Sequence, residues 1–142
     1  MDILLGPDVF VNASVALGSH PEHVVRRVLT NRKEKAKSTD WVLARIEAML
    51  SAIPSFKREA VGHQMDLIRG LVDVIPLKGE MPADAWEKAL VASAKAVGYK
   101  RVVTDHPDLA DKTEVDGILF VSSDAWLVEQ TTPPPPPPPK KK

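Results

Sequence analysis

Glu87-Lys88-Ala89-Leu90-Val91-Ala92-Ser93-Ala94-Lys95-Ala96-Val97-Gly98, followed shortly by Arg101-Val102-Val103-Thr104-Asp105-His106-Pro107-Asp108-Leu109, decides the fold. The first stretch reads as a helix that opens at Met81-Pro82-Ala83-Asp84 and stops at Gly98, because glycine is the residue that tolerates the left-handed turn past a helix end. Arg101–Thr104 reads as a short strand. Working outward, Leu71–Leu77 is β-branched and alternates loosely, so a strand is expected before the helix. Gly117–Ser122 supplies another strand beyond it, and Ser123–Glu129 a closing helical turn. Strands separated by helices need crossover connections, which predicts an α/β fold with a mainly parallel sheet.

The N-terminal part extends the same alternation. Residues 2–5 form an apolar run ended by Gly6-Pro7, as expected of a buried strand with a sharp stop. Asp8–Leu17 turns helical, with Val9, Phe10, Ala13 and Leu17 on one face and Gly18 at its end. Ser19-His20-Pro21-Glu22 has the capping-box pattern and an early proline, so a second helix carrying Val24, Val25, Val28 and Leu29 should begin there. Asn31–Lys37 is dense in charge and reads as a loop or a frayed helix end. Ser38-Thr39-Asp40 opens a third helix through Leu50, with Trp41, Leu43, Ile46, Met49 and Leu50 as its apolar residues. Pro54-Ser55 breaks it, and a fourth helix runs to about Gly70.

The chain divides into a body, residues 1–130, and a tail, residues 131–142, holding seven prolines and three lysines. The tail cannot build a core and is expected to be disordered, extended polyproline II. It reads as a solubilising tag, as a ligand for an aromatic-lined groove, or as a tether to an acidic surface. The body alone holds 16 basic residues (19 − 3) against 19 acidic ones, a net of −3, so bulk nucleic-acid binding is not expected and any such contact has to be local. Cysteine is absent, which excludes disulfides and thiolate metal sites. With no basic leader at Met1–Leu5 and no run of ~20 apolar residues, the expectation is a soluble, cytoplasmic protein without a membrane span.

In a parallel sheet, ligands gather beyond the carboxyl ends of the strands. Three segments should converge there: Gly6-Pro7-Asp8, the Thr104–Asp108 turn, and the start of the Pro82–Gly98 helix with Asp84 and Glu87. Carboxylates from separate segments meeting at one edge suit Mg²⁺ or Mn²⁺, hard cations that take oxygen ligands and can activate water beside a phosphate. Acids at helix starts are equally explained as partners of the helix dipole.

Leu4-Leu5-Gly6-Pro7-Asp8-Val9-Phe10-Val11-Asn12-Ala13 resembles the opening strand and helix of PIN domains, usually written D-x-N-V-hydrophobic. Glu87–Gly98 resembles their penultimate helix, Arg101–Leu109 their V-T-x-D-x-D-L turn, and Gly117–Ser122 their final strand. The similarity spans residues 2 to about 127, and its best anchor is the spacing between Glu87, Gly98 and Thr104. The resemblance implies a three-layer α/β/α PIN-like domain with a short, mainly parallel sheet. PIN domains are typically Mg²⁺- or Mn²⁺-dependent ribonucleases, often toxins of toxin–antitoxin pairs, and many dimerise. The resemblance therefore implies RNA or an antitoxin-like protein as partner, and raises a homodimer.

This chain departs from the family's four acids. The first aspartate falls on Gly6, with Asp8 where the family has asparagine. The glutamate of the third helix falls on Arg45, with Glu47 about half a turn away. The aspartate opening the penultimate helix falls on Glu87, which keeps the charge. The aspartate of the T-x-D turn falls on His106, with Asp105 beside it and Asp108 at the second acid. Two expectations follow from this pattern. The first is a degenerate, non-catalytic binding or regulatory module with no cofactor, in which Arg45 replaces the metal by neutralising Glu87 and Asp108. The second is a metal-dependent endoribonuclease in which Asp8, Glu87, Asp105 and Asp108 are catalytic, with Asp8, Glu87 and Asp108 as metal ligands.

Other features read more blandly. His106 is expected as a turn residue more than a general base, and with Arg45 it is a candidate binding residue. His20 and His23 lack a third metal ligand, and His63 is expected at the surface. Trp41, Trp86 and Trp126 sit near helix ends and read as core or rim packing more than as base-stacking platforms. Arg26, Arg27, Arg32, Lys33, Lys35 and Lys37 form one local basic cluster without interleaved aromatics, a solvated face more than an RNA track. Partners of a non-catalytic module are expected to use this segment, with Arg26, Arg27, Arg32 and Lys33 as binding residues, or the tail.

Overall fold

Proline at the first helical position fixes the turn by which the first strand hands over to the first helix. In the computed structural model, which describes residues 3–30, 34–77, 85–110 and 114–131, strand β1 (Ile3–Leu5) is fully buried and helix α1 (Pro7–Val15) starts two residues later. Helix α2 (His20–Leu29) has Ser19 as its N-cap, the Ser19 hydroxyl accepting from Glu22 N. The chain continues through β2 (Ala36–Thr39), α3 (Asp40–Ser51), α4 (Arg58–Leu71), β3 (Val72–Ile75) and α5 (Trp86–Val97). It then forms β4 (Arg101–Val103), the short α6 (Pro107–Ala110), β5 (Glu114–Val115), β6 (Ile118–Val121) and α7 (Ser123–Thr131).

The larger sheet has the order β1-β4-β6-β5, with β1, β4 and β6 parallel and β5 antiparallel to β6. Leu4 lies opposite Val102, and Val102 opposite Phe120, so the buried side chains of the three strands stack in register. β2 and β3 pair in parallel as a second, two-stranded sheet. The core joins Leu4, Leu5, Val9 and Phe10 to Ile46, Leu50, Leu90, Val102 and the fully buried Trp126. The expected α/β class with a mainly parallel sheet is what forms.

Several boundaries differ from the sequence expectations. Ala36–Thr39 is a strand rather than part of a charged loop, held by β3 and by Tyr99 Oη, which accepts from Lys37 N at 3.0 Å. Residues 31–33 of that segment, including Arg32 and Lys33, lie outside the described residues. Leu17 leaves the apolar face assigned to it, because α1 ends at Val15 and Ala16 takes non-helical angles; Leu17 is 86% exposed. Asp116 and Gly117 both have positive φ and close a two-residue hairpin between β5 and β6. Helix α7 runs one residue past the expected body boundary at 130. The expected helix opening at Met81–Asp84 and the tail beyond Thr131 lie outside the described residues. Among the described residues, no helix is long and apolar enough to cross a membrane.

Candidate functional site

β1 and β4 run parallel, so Gly6-Pro7-Asp8 and Thr104-Asp105-His106 leave the same edge of the sheet. Gly6 N donates to Val103 O at 2.8 Å, extending the ladder one residue past β1. Pro7 then swings the chain into α1 so that Asp8, two residues on, turns back over the strand end. A Cβ built on Gly6 would lie 2.7 Å from Asp8 Oδ1 and 3.1 Å from both Thr104 Cβ and Val103 O. The Asp8 carboxylate thus fills the space that a side chain at position 6 would need.

Both Asp8 oxygens are engaged. The Thr104 hydroxyl donates to Oδ1 at 2.9 Å, and Asp105 N donates to Oδ2 at 2.7 Å. Asp8 is 8% exposed. Burial raises its pKa above the ordinary carboxyl value, and the negative charge of Asp105 pushes the same way. The two hydrogen bonds act in the opposite sense without cancelling the burial effect.

Asp105 points elsewhere. Its Oδ1 accepts from Ser123 N at 2.8 Å and its Oδ2 from Ser123 Oγ at 2.6 Å, so it anchors the first residue of α7. His106 N donates to Thr104 Oγ1 at 3.2 Å, and His106 Nδ1 accepts from Asp108 N at 3.2 Å. That geometry assigns the neutral ring its proton on Nε2. Asp108 is exposed in α6, and Glu87 is half-buried in the first turn of α5.

Beside these groups stands a row of three rings. Trp86 lies against His106 with centroids 4.9 Å apart, and Trp41 meets Trp86 edge-on at 6.0 Å. All three are half-buried and come from three different segments: the start of α3, the start of α5 and the turn after β4. Trp126, by contrast, belongs to the core. The ring contacts span sequence separations that no local pattern encodes.

The expected pairing of Arg45 with Glu87 and Asp108 does not form: the ion pairs among the described residues include neither contact. Arg45 lies one turn past Trp41 on the margin of the buried face of α3, and its Nε is enclosed without an acceptor. Glu47 instead faces Arg69, at 3.9 Å. In the basic cluster, Arg26 pairs with Glu22 at 2.6 Å, while Arg27, Lys35 and Lys37 are exposed. His20 lies 3.7 Å from Asp124, and His63 is exposed.

The structure therefore brings together Asp8, Thr104, Asp105 and His106, with Asp108 tied to His106 through its backbone. Among the described residues, no three histidine, aspartate or glutamate side chains are grouped as a metal ion would require. The oxygens of Asp8 and Asp105 are both turned to protein donors.

A second feature lies on the helices. Phe10, Leu17, Val25, Leu67, Ile68 and Leu71 line an apolar groove between α1, α2 and α4, into which the Glu22–Arg26 pair also faces.

The mainly parallel α/β sheet with these crossovers is that of a PIN-like fold. The chain is similar to one in the crystal structure of VapBC2 from Rickettsia felis bound to a DNA fragment from their promoter. The match has a TM-score of 0.61 and covers 86% of this chain and 98% of that one, at 14% sequence identity. At that identity the likeness speaks for the fold. No protein-family model matches the chain, and no curated protein matches it in sequence.

Proposed function

We propose that the chain is a PIN-like domain acting as a binding or regulatory module, without nuclease chemistry at its sheet edge. The observation that carries this reading is the direction of two carboxylates. A divalent ion needs several oxygens aimed at one point, whereas Asp8 faces Thr104 and Asp105 N, and Asp105 faces Ser123. Glycine at position 6, arginine at 45 and histidine at 106 thin the acidic pocket further.

The module's partner on this reading is a protein, antitoxin-like in using an apolar segment. The groove between α1, α2 and α4 supports this, because Leu17, Leu67 and Leu71 are left substantially exposed along it. The solved neighbour is itself a complex bound to DNA, which keeps nucleic acid among the classes to be tested. Calorimetric titration with Mn²⁺ tests the reading. No saturable binding at micromolar ion is expected, and a micromolar site abolished by Glu87→Gln would overturn it.

One observation favours the alternative of a Mg²⁺- or Mn²⁺-dependent endoribonuclease. Asp8 returns a carboxylate to the end of β1, where the resemblance places the missing acid. On that reading Asp8, Glu87, Asp105 and Asp108 would form a rearranged cluster, and Asp105 would have to release Ser123.

A further inference from the structure

We propose that the ledge formed by Trp41, Trp86 and His106 is the docking site of the chain's own proline–lysine segment, residues 132–142. The ledge has the chemistry of a polyproline receptor. Proline rings pack on indole faces, and a run of seven prolines meets such a surface with little conformational entropy left to lose. Three aromatic rings, Trp86 meeting Trp41 on one side and His106 on the other and each keeping part of its surface in solvent, stand at one edge of the sheet.

The charges match as well. Acids border the rings: Asp108 is exposed two residues from His106, and Asp40 is exposed next to Trp41. Asp40 Oδ1 accepts from Trp41 N and Leu77 N. A body of net −3 faces a segment ending in Lys140, Lys141 and Lys142, a charge of +3. Ammonium groups beside indoles and carboxylates gain from both.

Chain length permits the return. Helix α7 begins at the ledge's edge, where Ser123 is bonded to Asp105, and its nine residues carry the chain about 13 Å away. Eleven residues lie beyond Thr131, and at the polyproline II rise such a length would reach about 34 Å, more than twice the distance to be retraced. The inference is independent of whether the neighbouring acids are catalytic, so RNA cleavage would leave it standing.

The absence of cysteine makes a direct test available. Lys142→Cys in the full chain accepts a single nitroxide label, and the indole N–H signals of Trp41 and Trp86 are compared with the label oxidised and reduced. Docking predicts that both signals lose most of their intensity in the oxidised state. They should recover when Lys140→Glu and Lys141→Glu are added, changes that leave the body untouched. Signals unaffected by the label would overturn the proposal. Loss seen only on unlabelled copies mixed with labelled ones would also overturn it, by assigning the ledge to the tail of a second molecule.

Discussion

Asp8 and Gly6 share one volume: the carboxylate of the first stands where a side chain of the second would project, 2.7 Å from Oδ1 to an ideal Cβ. The acid two residues on from the expected position therefore excludes any side chain at that position unless its own hydrogen bonds are given up.

Gly6→Ala forces that choice. Asp8 Oδ1 can swing aside only by leaving Thr104, and the backbone oxygen of Val103 at 3.1 Å leaves little other room. A loss of about 1–3 kcal/mol in urea unfolding is expected. In Gly6→Ala/Asp8→Ala the clash is gone, so the double variant should be less destabilised than the sum of the singles.

The pH dependence follows from the buried carboxyl. Its folded pKa lies above the ordinary 3.8, so the folded protein holds the proton more tightly than the unfolded chain. Between those two values the unfolded state binds fewer protons, and stability from this group falls as pH rises. Asp8→Asn keeps an oxygen for Asp105 N and can turn its amide toward Thr104 Oγ. Stability curves should show the wild type losing ground to Asp8→Asn as pH climbs from about 3.8 through the folded pKa, with a constant gap above it.

Asp105→Ala removes both acceptors that hold Ser123 and leaves the first N–H of α7 without its carboxylate partner. A cost of about 1–3 kcal/mol is expected, seen in thermal unfolding. Hydrogen exchange should quicken first in α7, whereas Asp105→Asn retains one acceptor and falls between the two.

Tyr99→Phe deletes the hydroxyl that accepts from Lys37 N. A loss of about 1 kcal/mol is expected, with faster exchange at Lys37 and its neighbours in β2 and little change at Leu4 or Val102.

The same contact explains why β2 was not legible. Its residues are Ala-Lys-Ser-Thr, with no apolar run, and their burial is secured from far along the chain by Tyr99 and by Ser93, whose hydroxyl meets Thr39 Oγ1 at 2.8 Å. β1, α3, α5 and β4 were legible because each carries a local signal: an apolar run, a Thr39 cap, a Gly98 stop. The β5–β6 hairpin did have one, Asp116-Gly117, that the reading of 117–122 as a lone strand passed over. At the site, the parallel order of the strands is what predicts that Gly6-Pro7-Asp8 and Thr104–Asp108 meet. It could not foretell that Asp105 would turn to Ser123, eighteen residues away, or that two tryptophans and a histidine would come into contact beside it.

Cleavage of a labelled single-stranded RNA in Mn²⁺, with wild type and Glu87→Gln run side by side, tests most directly whether this sheet edge has left nuclease chemistry behind. The account predicts that neither protein cuts above the rate in buffer alone. Mn²⁺-dependent cutting by the wild type that disappears in Glu87→Gln would contradict it.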